Sequence, residues 1–199
     1  MKAPRVFRLL AQAALAVLLL AMGAALRPLI STAAPAPVLT QTEIGFVQDM
    51  VAHHSQALVL VQRLDPDAGP GVLALATQIA DAQRTELGML LGWLRLADAP
   101  VTNAAPMSWM PSAHHAPESH DTGMATAAEL DELSAARGTA AEVPFLRLMQ
   151  RHHYGGLRMA AAADGLLVDG EVKRAARDMI TGQGREAGLL GMLLAQRAS

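Results

Sequence analysis

The chain repeats itself. Phe46, Met50, His53 and His54 return as Phe145, Met149, His152 and His153 at an offset of 99, and Ala76, Gln83, Glu86 and Leu90 return as Ala176, Gln183, Glu186 and Leu190 at an offset of 100. One residue of slip in a connector accounts for the difference, so the fold is built from two copies of one supersecondary unit. Within each copy the shared residues step by fours and threes. Phe46, Met50, His53, Ala57, Leu60 and Leu64 share one helical stripe, as do Phe145, Met149, His152, Gly156, Met159 and Ala163. The second half of each copy walks the same way through Val72, Ala76, Ile79, Gln83, Glu86, Leu90 and Trp93, then Val172, Ala176, Met179, Gln183, Glu186, Leu190 and Leu193. Each copy is therefore a helix pair.

Local signals set the ends of these helices. Thr40-x-x-Glu43 is a capping box opening a helix that runs to about Arg63 and stops in the Asp-, Pro- and Gly-rich stretch 64–71. The partner helix runs from about Gly71 to Ala97. In the second copy the helices span about residues 142–165 and 170–197, joined through Val168-Asp169-Gly170. Between the copies, residues 98–125 read as a long loop rich in Pro, Ser, His and Met, and Thr126-x-x-Glu129 caps a short helix ending near Arg137-Gly138. No segment alternates with period two and aromatic residues are only 3%, so no strands are expected. The expectation is all-α: a four-helix bundle with repeat one at 41–97, the loop at 98–125, a short helix at 126–137 and repeat two at 141–197.

The first 36 residues stand apart from this domain, which occupies 37–199. Lys2, Arg5 and Arg8 precede an apolar run from Leu9 to Leu26 and then a small-residue stretch from Ser31 to Ala36, the order of a secretory signal. As a helix that run reaches roughly 27 Å, close to a hydrocarbon core of about 30 Å, so an uncleaved anchor at 9–26 is the alternative. Either way the rest is expected outside the cytoplasm, in the periplasm or beyond the cell. Of the 16 basic residues four lie in the first forty, which hold no acid, leaving 12 bases against 18 acids in the remainder. That negative balance argues against a nucleic-acid partner. Cysteine is absent, so any soft metal ligand must be methionine.

The stripes carry polar residues into the core. An imidazole or carboxylate there costs about 1 to 3 kcal/mol if left unpaired, and more when charged. Two readings follow. In one, His53 and His152 hydrogen-bond to Glu86 and Glu186 and fix the helix register. In the other, the layer holds a metal, with Met50, His53, His54, Met149, His152, His153 and Met159 as donors and Glu86 and Glu186 as ligands or acceptors.

A second set lies in the central loop. All seven histidines fall in three clusters, the two His-His pairs and His114, His115 and His120, and the loop adds Met107, Met110 and Met124. Mixed thioether and imidazole donors favour Cu(I) through sulfur and Cu(II) through nitrogen. The plainer alternative is a low-complexity linker whose Met and Trp side chains tuck under the helices.

At these residues the chain resembles a bacterial family, domain of unknown function 305, built around the same doubled Met-x-x-His-His and Gln-x-x-Glu motifs over about residues 41–197. The resemblance implies a ferritin-like four-helix bundle, commonly exported, with some members similar to copper-binding proteins of the cell envelope. By position it carries over to Met50, His53, His54, Gln83 and Glu86, then Met149, His152, His153, Gln183 and Glu186, with the two Gln supporting the ligands. The chain departs from it where Gly155-Gly156 replaces Gln56-Ala57, which is expected to open space beside the motif, and where Leu189 replaces Met89.

Three functions compete. The leading one is an exported metal-binding protein, with copper as Cu(I) or Cu(II), for buffering, carriage or resistance; its partners are the ion, an envelope metal-handling protein or a second copy, with membrane contact only through an uncleaved leader. A second is an interaction module whose His/Gln/Glu layer is structural. The third, a ferritin-like metal oxidase, needs several inward carboxylates including Glu-x-x-His pairs, and the sequence has none of the latter. No catalytic residue is assigned, and no nucleophile with a matched base supports a hydrolase.

Overall fold

A computed structural model describes residues 5–30, 37–110 and 122–198. The described residues are helical and contain no strand. They form α1 (Arg5–Ile30), α2 (Gln41–Arg63), α3 (Pro70–Leu96), α4 (Ala127–Ala135), α5 (Glu142–Leu166) and α6 (Glu171–Ala198), with a 3-10 turn at Gly138–Ala141 before α5. The chain divides into two compact units, Met1–Pro37 and Val38–Ser199. In the first, Phe7–Leu26 is long and apolar enough to cross a membrane and fits a signal sequence equally well.

In the second unit α2 packs on α3, α5 packs on α6, and the two hairpins meet through α2 and α5. Both capping boxes form: Thr40 and Thr126 each cap the amide three residues on, and Glu43 and Glu129 reach back to the cap backbone. Proline at the first position of α3 suits a site whose N–H has no helical acceptor. The stripes read from the sequence are the buried ones, from Phe46 through Leu64 and from Phe145 through Ala163.

The core splits in two around the polar layer. Phe46, Met50, Leu90, Leu94, Met159, Ala163, Val172 and Met179 fill one end, and Ala57, Leu60, Val72, Ile79, Leu133, Phe145, Met149 and Leu190 the other. Both clusters lie wholly inside Val38–Ser199, which therefore carries a complete core of its own. Buried Glu142 ties that unit's hairpins together, accepting the Gly69 amide at 2.7 Å and pairing with Arg197.

α6 also holds glycines with no packing role. A Cβ added at Gly182 or Gly188 meets nothing within 4 Å. Each Gly→Ala change is expected to stabilise the unit by about 0.5 to 1 kcal/mol, read as a higher melting temperature. A lower one would show that these positions face a neighbour.

Candidate functional site

The four motif histidines are all buried, because α2 and α5 each pack against two of the other long helices and adjacent residues on one helix point about 100° apart. His54 points to α3 and donates from Nε2 to Glu86 at 2.5 Å; His153 points to α6 and donates to Glu186 at 2.8 Å. The sequence reading gave these carboxylates to His53 and His152, one residue too early. Periodicity identifies a buried face without saying which neighbour covers it. The pairs lock each hairpin internally, and His153 Nδ1 also meets the Met149 carbonyl at 2.9 Å.

His53 and His152 face the seam between hairpins instead. Their rings stack at 3.7 Å between centroids and 28° between planes. His152 Nε2 donates to the His53 carbonyl at 3.0 Å, and His53 Nε2 donates to the Thr122 carbonyl at 3.0 Å. Burial, reinforced by the neighbouring His54, pushes the His53 pKa down to about 3. Burial and the adjacent His53 likewise hold His152 well below its ordinary value. Both rings are therefore neutral at pH 7, and the bonds from Nε2 leave Nδ1 as the nitrogen with a lone pair. Neither Nδ1 has a hydrogen-bond partner.

Beside His53 lies a cavity of about 170 Å³, lined by Asp49, Ala52, His53, Pro106, Met107, Thr122, Met124 and Met159. Its lining brings one histidine together with three methionines from distant parts of the chain. Met159 comes from α5, two turns beyond His152, while Met107 and Met124 come from the two described ends of the central loop. Each end is clamped. Asp49 accepts the Met107 amide at 2.6 Å, Trp109 Nε1 at 2.9 Å and Asn103 Nδ2 at 3.1 Å. Met107 itself has φ +63, a left-handed conformation costing a non-glycine residue roughly 1 to 2 kcal/mol.

At the other end, Gln56 makes a two-way bond with Ala125, at 2.6 and 2.8 Å. Arg151 donates to both oxygens of Glu129, at 2.6 and 2.7 Å, and to the Met124 carbonyl at 3.3 Å. That guanidinium holds the Glu129 pKa down to about 2. The loop backbone lies directly on α5, where a Cβ on Gly155 would sit 1.7 Å from the Thr122 carbonyl oxygen. The space expected beside Gly155-Gly156 is therefore filled, by loop backbone over Gly155 and by Gln183 and His53 over Gly156. α5 runs through both glycines without a break.

The remaining candidates lie elsewhere. Met50 and Met149 are wholly buried in opposite core clusters, and Met110 is buried without lining the cavity. Gln83 and Gln183 are buried with amide oxygens lacking partners. His114, His115 and His120 lie outside the described residues. Sequence reasoning passed over Asp49, Gln56, Thr122 and Arg151, although Asp49 sits one turn before His53 on the same face.

A family model for a domain of unknown function, DUF305, matches residues 43–194. The chain belongs to the DUF305 family. The match takes in both helix pairs and every cavity residue. A crystal structure of a DUF305 protein from Streptomyces coelicolor, described as a "putative secreted protein", is 37% identical, with a TM-score of 0.69 over 79% of this chain and 93% of its own. A DUF305 fragment from Deinococcus radiodurans is 31% identical, with a TM-score of 0.67 over 79% and 97%. Comparison with curated proteins gives no match.

Proposed function

We propose that this DUF305 protein binds copper as Cu(I), outside the cytoplasm, in the cavity between His53, Met107, Met124 and Met159. The observation that carries the reading is the set of residues lining a single cavity, three methionines and a histidine whose ring is neutral at pH 7. Thioethers select Cu(I) over zinc or iron, and an imidazole already neutral at pH 7 has no proton to lose on binding. The Thr122 carbonyl supports the ligand in the usual manner, fixing the tautomer through Nε2 and leaving Nδ1 for a metal. Among the described residues no three His, Asp or Glu side chains come together as a metal site, which weighs against a carboxylate-rich oxidase centre. In this reading the two hairpins close as a ferritin-like four-helix bundle. The leader delivers it to the periplasm or beyond, anchored if uncleaved, where it buffers the ion or passes it to an envelope metal-handling protein.

Titration of residues 38–199 with Cu(I), and with Ag(I) as its redox-inert analogue, against a competing chelator tests this. One ion is expected to bind saturably, with zinc far weaker. His53→Ala and Met159→Leu are each expected to weaken binding by more than the roughly 10-fold that loss of a supporting residue costs. At a hundred times Kd the ion adds about 2.7 kcal/mol of stability. Binding unaltered in both variants, or absent in the wild type, would end the proposal.

A further inference from the structure

Two non-glycine residues have positive φ among the described residues, Asp98 and Met107. Asp98 sits just past the end of α3, where a left-handed residue closes a helix and a short polar side chain tolerates it. Met107 has neither excuse. It lies in the loop, is not glycine, lines the cavity and packs against the core cluster that holds Met159. Glycine would relieve the backbone there and remove the sulfur, so the sequence keeps the sulfur at the cost of the backbone.

What holds Met107 in that conformation is Asp49. Its carboxylate accepts three N–H donors, all from residues 103–109, and no cation pairs with it among the described residues. Trp109, one of the donors, is fixed edge-on to Phe46 at 5.3 Å between centroids, and lies so close to α2 that a Cβ on Gly45 would come within 2.9 Å of it. Asp49 and His53 are four residues apart on one face of α2, and both line the cavity. A buried carboxylate serving backbone and indole N–H groups is a costly way to anchor a loop if anchoring is all that is needed.

We infer that Asp49 is a positioning residue that clamps the loop so that the Met107 thioether stands over His53, holding a strained backbone to complete the sulfur set. The inference rests on the metal reading above and names the residue that sets the geometry of that site. It also accounts for Asp49 having no acidic counterpart in the second repeat, where Leu148 stands at the equivalent position, since the 103–109 end of the loop is held by Asp49.

The test uses residues 38–199 with Cu(I) as probe and three variants: Asp49→Asn, Met107→Gly and Trp109→Phe. In the wild type, X-ray absorption at the copper edge should count three sulfur neighbours, and the Met107 methyl should show nuclear Overhauser contacts to His53. Asp49→Asn, which keeps shape but faces an NH2 group against N–H donors, should lose those contacts, drop to two sulfurs and bind about 10-fold more weakly. Met107→Gly should bind equally weakly yet melt higher without metal than the wild type, an opposition that a purely structural Met107 would not give. Trp109→Phe removes one donor and should lie between wild type and Asp49→Asn, which keeps the inference testable if Asp49→Asn fails to fold. Three sulfurs and unchanged affinity in Asp49→Asn, or a lower metal-free melting temperature in Met107→Gly, would overturn it. Should the wild type show the methyl contacts but take up no Cu(I), the metal reading falls while the clamp stands.

Discussion

Gly155→Ala is expected to destabilise the protein by about 3 kcal/mol or more and to remove Met124 from the site. A methyl group there would lie 1.7 Å from the Thr122 carbonyl oxygen and 2.7 Å from the Gly123 amide nitrogen, and both are backbone atoms. Overpacking commonly costs about 1 to 3 kcal/mol when side chains can give way. Here nothing flexible can yield, so either α5 or the loop must move. Gly123 compounds the constraint: its φ is +69, and its own Cβ would meet the Arg151 carbonyl at 2.1 Å. The neighbouring Gly156→Ala is the control: its methyl meets side chains rather than backbone, the end of Gln183 first and then His53 Cε1 at 3.0 Å, and its cost should be smaller. Urea unfolding of both variants measures the difference, which for Gly155→Ala corresponds to a melting temperature lower by about 6 to 12 °C. Equal, small effects at the two glycines would mean the loop does not rest on α5.

Acid should weaken the metal-free protein well before its carboxylates titrate. Folded His53 has a pKa of about 3 against 6.5 when unfolded. Between those values the unfolded chain binds a proton that the folded chain refuses, so stability is complete above pH 6.5 and falls as pH drops toward 3. By linkage the 3.5-unit gap amounts to about 5 kcal/mol in all, and to about 2 kcal/mol already at pH 5. His152, lowered for the same reason, adds to the loss with the same sign. Urea midpoints at pH 7 and pH 5 read the effect, and His53→Gln should make the dependence shallower. A midpoint that does not change between those pH values would show that the stacked rings are hydrated rather than dry.

Much of the frame could be read from residue spacing. Helix ends followed from local chemistry at Thr40, Thr126 and the Asp-, Pro- and Gly-rich stretch 64–71, and the buried stripes from steps of three and four, because both depend on neighbours in sequence. The site was less legible for two reasons. Which of His53 and His54 meets the carboxylate depends on which helix covers which flank of α2, a tertiary fact that periodicity does not contain. And Met107 and Met124 reach the cavity from a loop with no period, held by side chains that the repeat comparison treated as noise. In hindsight those mismatches carried the signal. Asp49, Ala52 and Gln56 in the first copy stand opposite Leu148, Arg151 and Gly155 in the second, and Asp49, Gln56, Arg151 and Gly155 are the residues against which the loop docks. Where the copies agree they build the two helix pairs; where they differ they seat the loop.

That division gives this chain an economical logic. Symmetric His-Glu pairs inside each hairpin hold the frame, while an asymmetric loop converts one of two equivalent histidines, His53, into a member of a sulfur-rich cavity. The measurement that tests this most directly is an anomalous-difference map from crystals grown with Cu(I), recorded at the copper edge. The account predicts one strong peak within bonding distance of His53 and the sulfurs of Met107, Met124 and Met159. A peak between His54 and Glu86 or between His153 and Glu186, with nothing in the cavity, would contradict it.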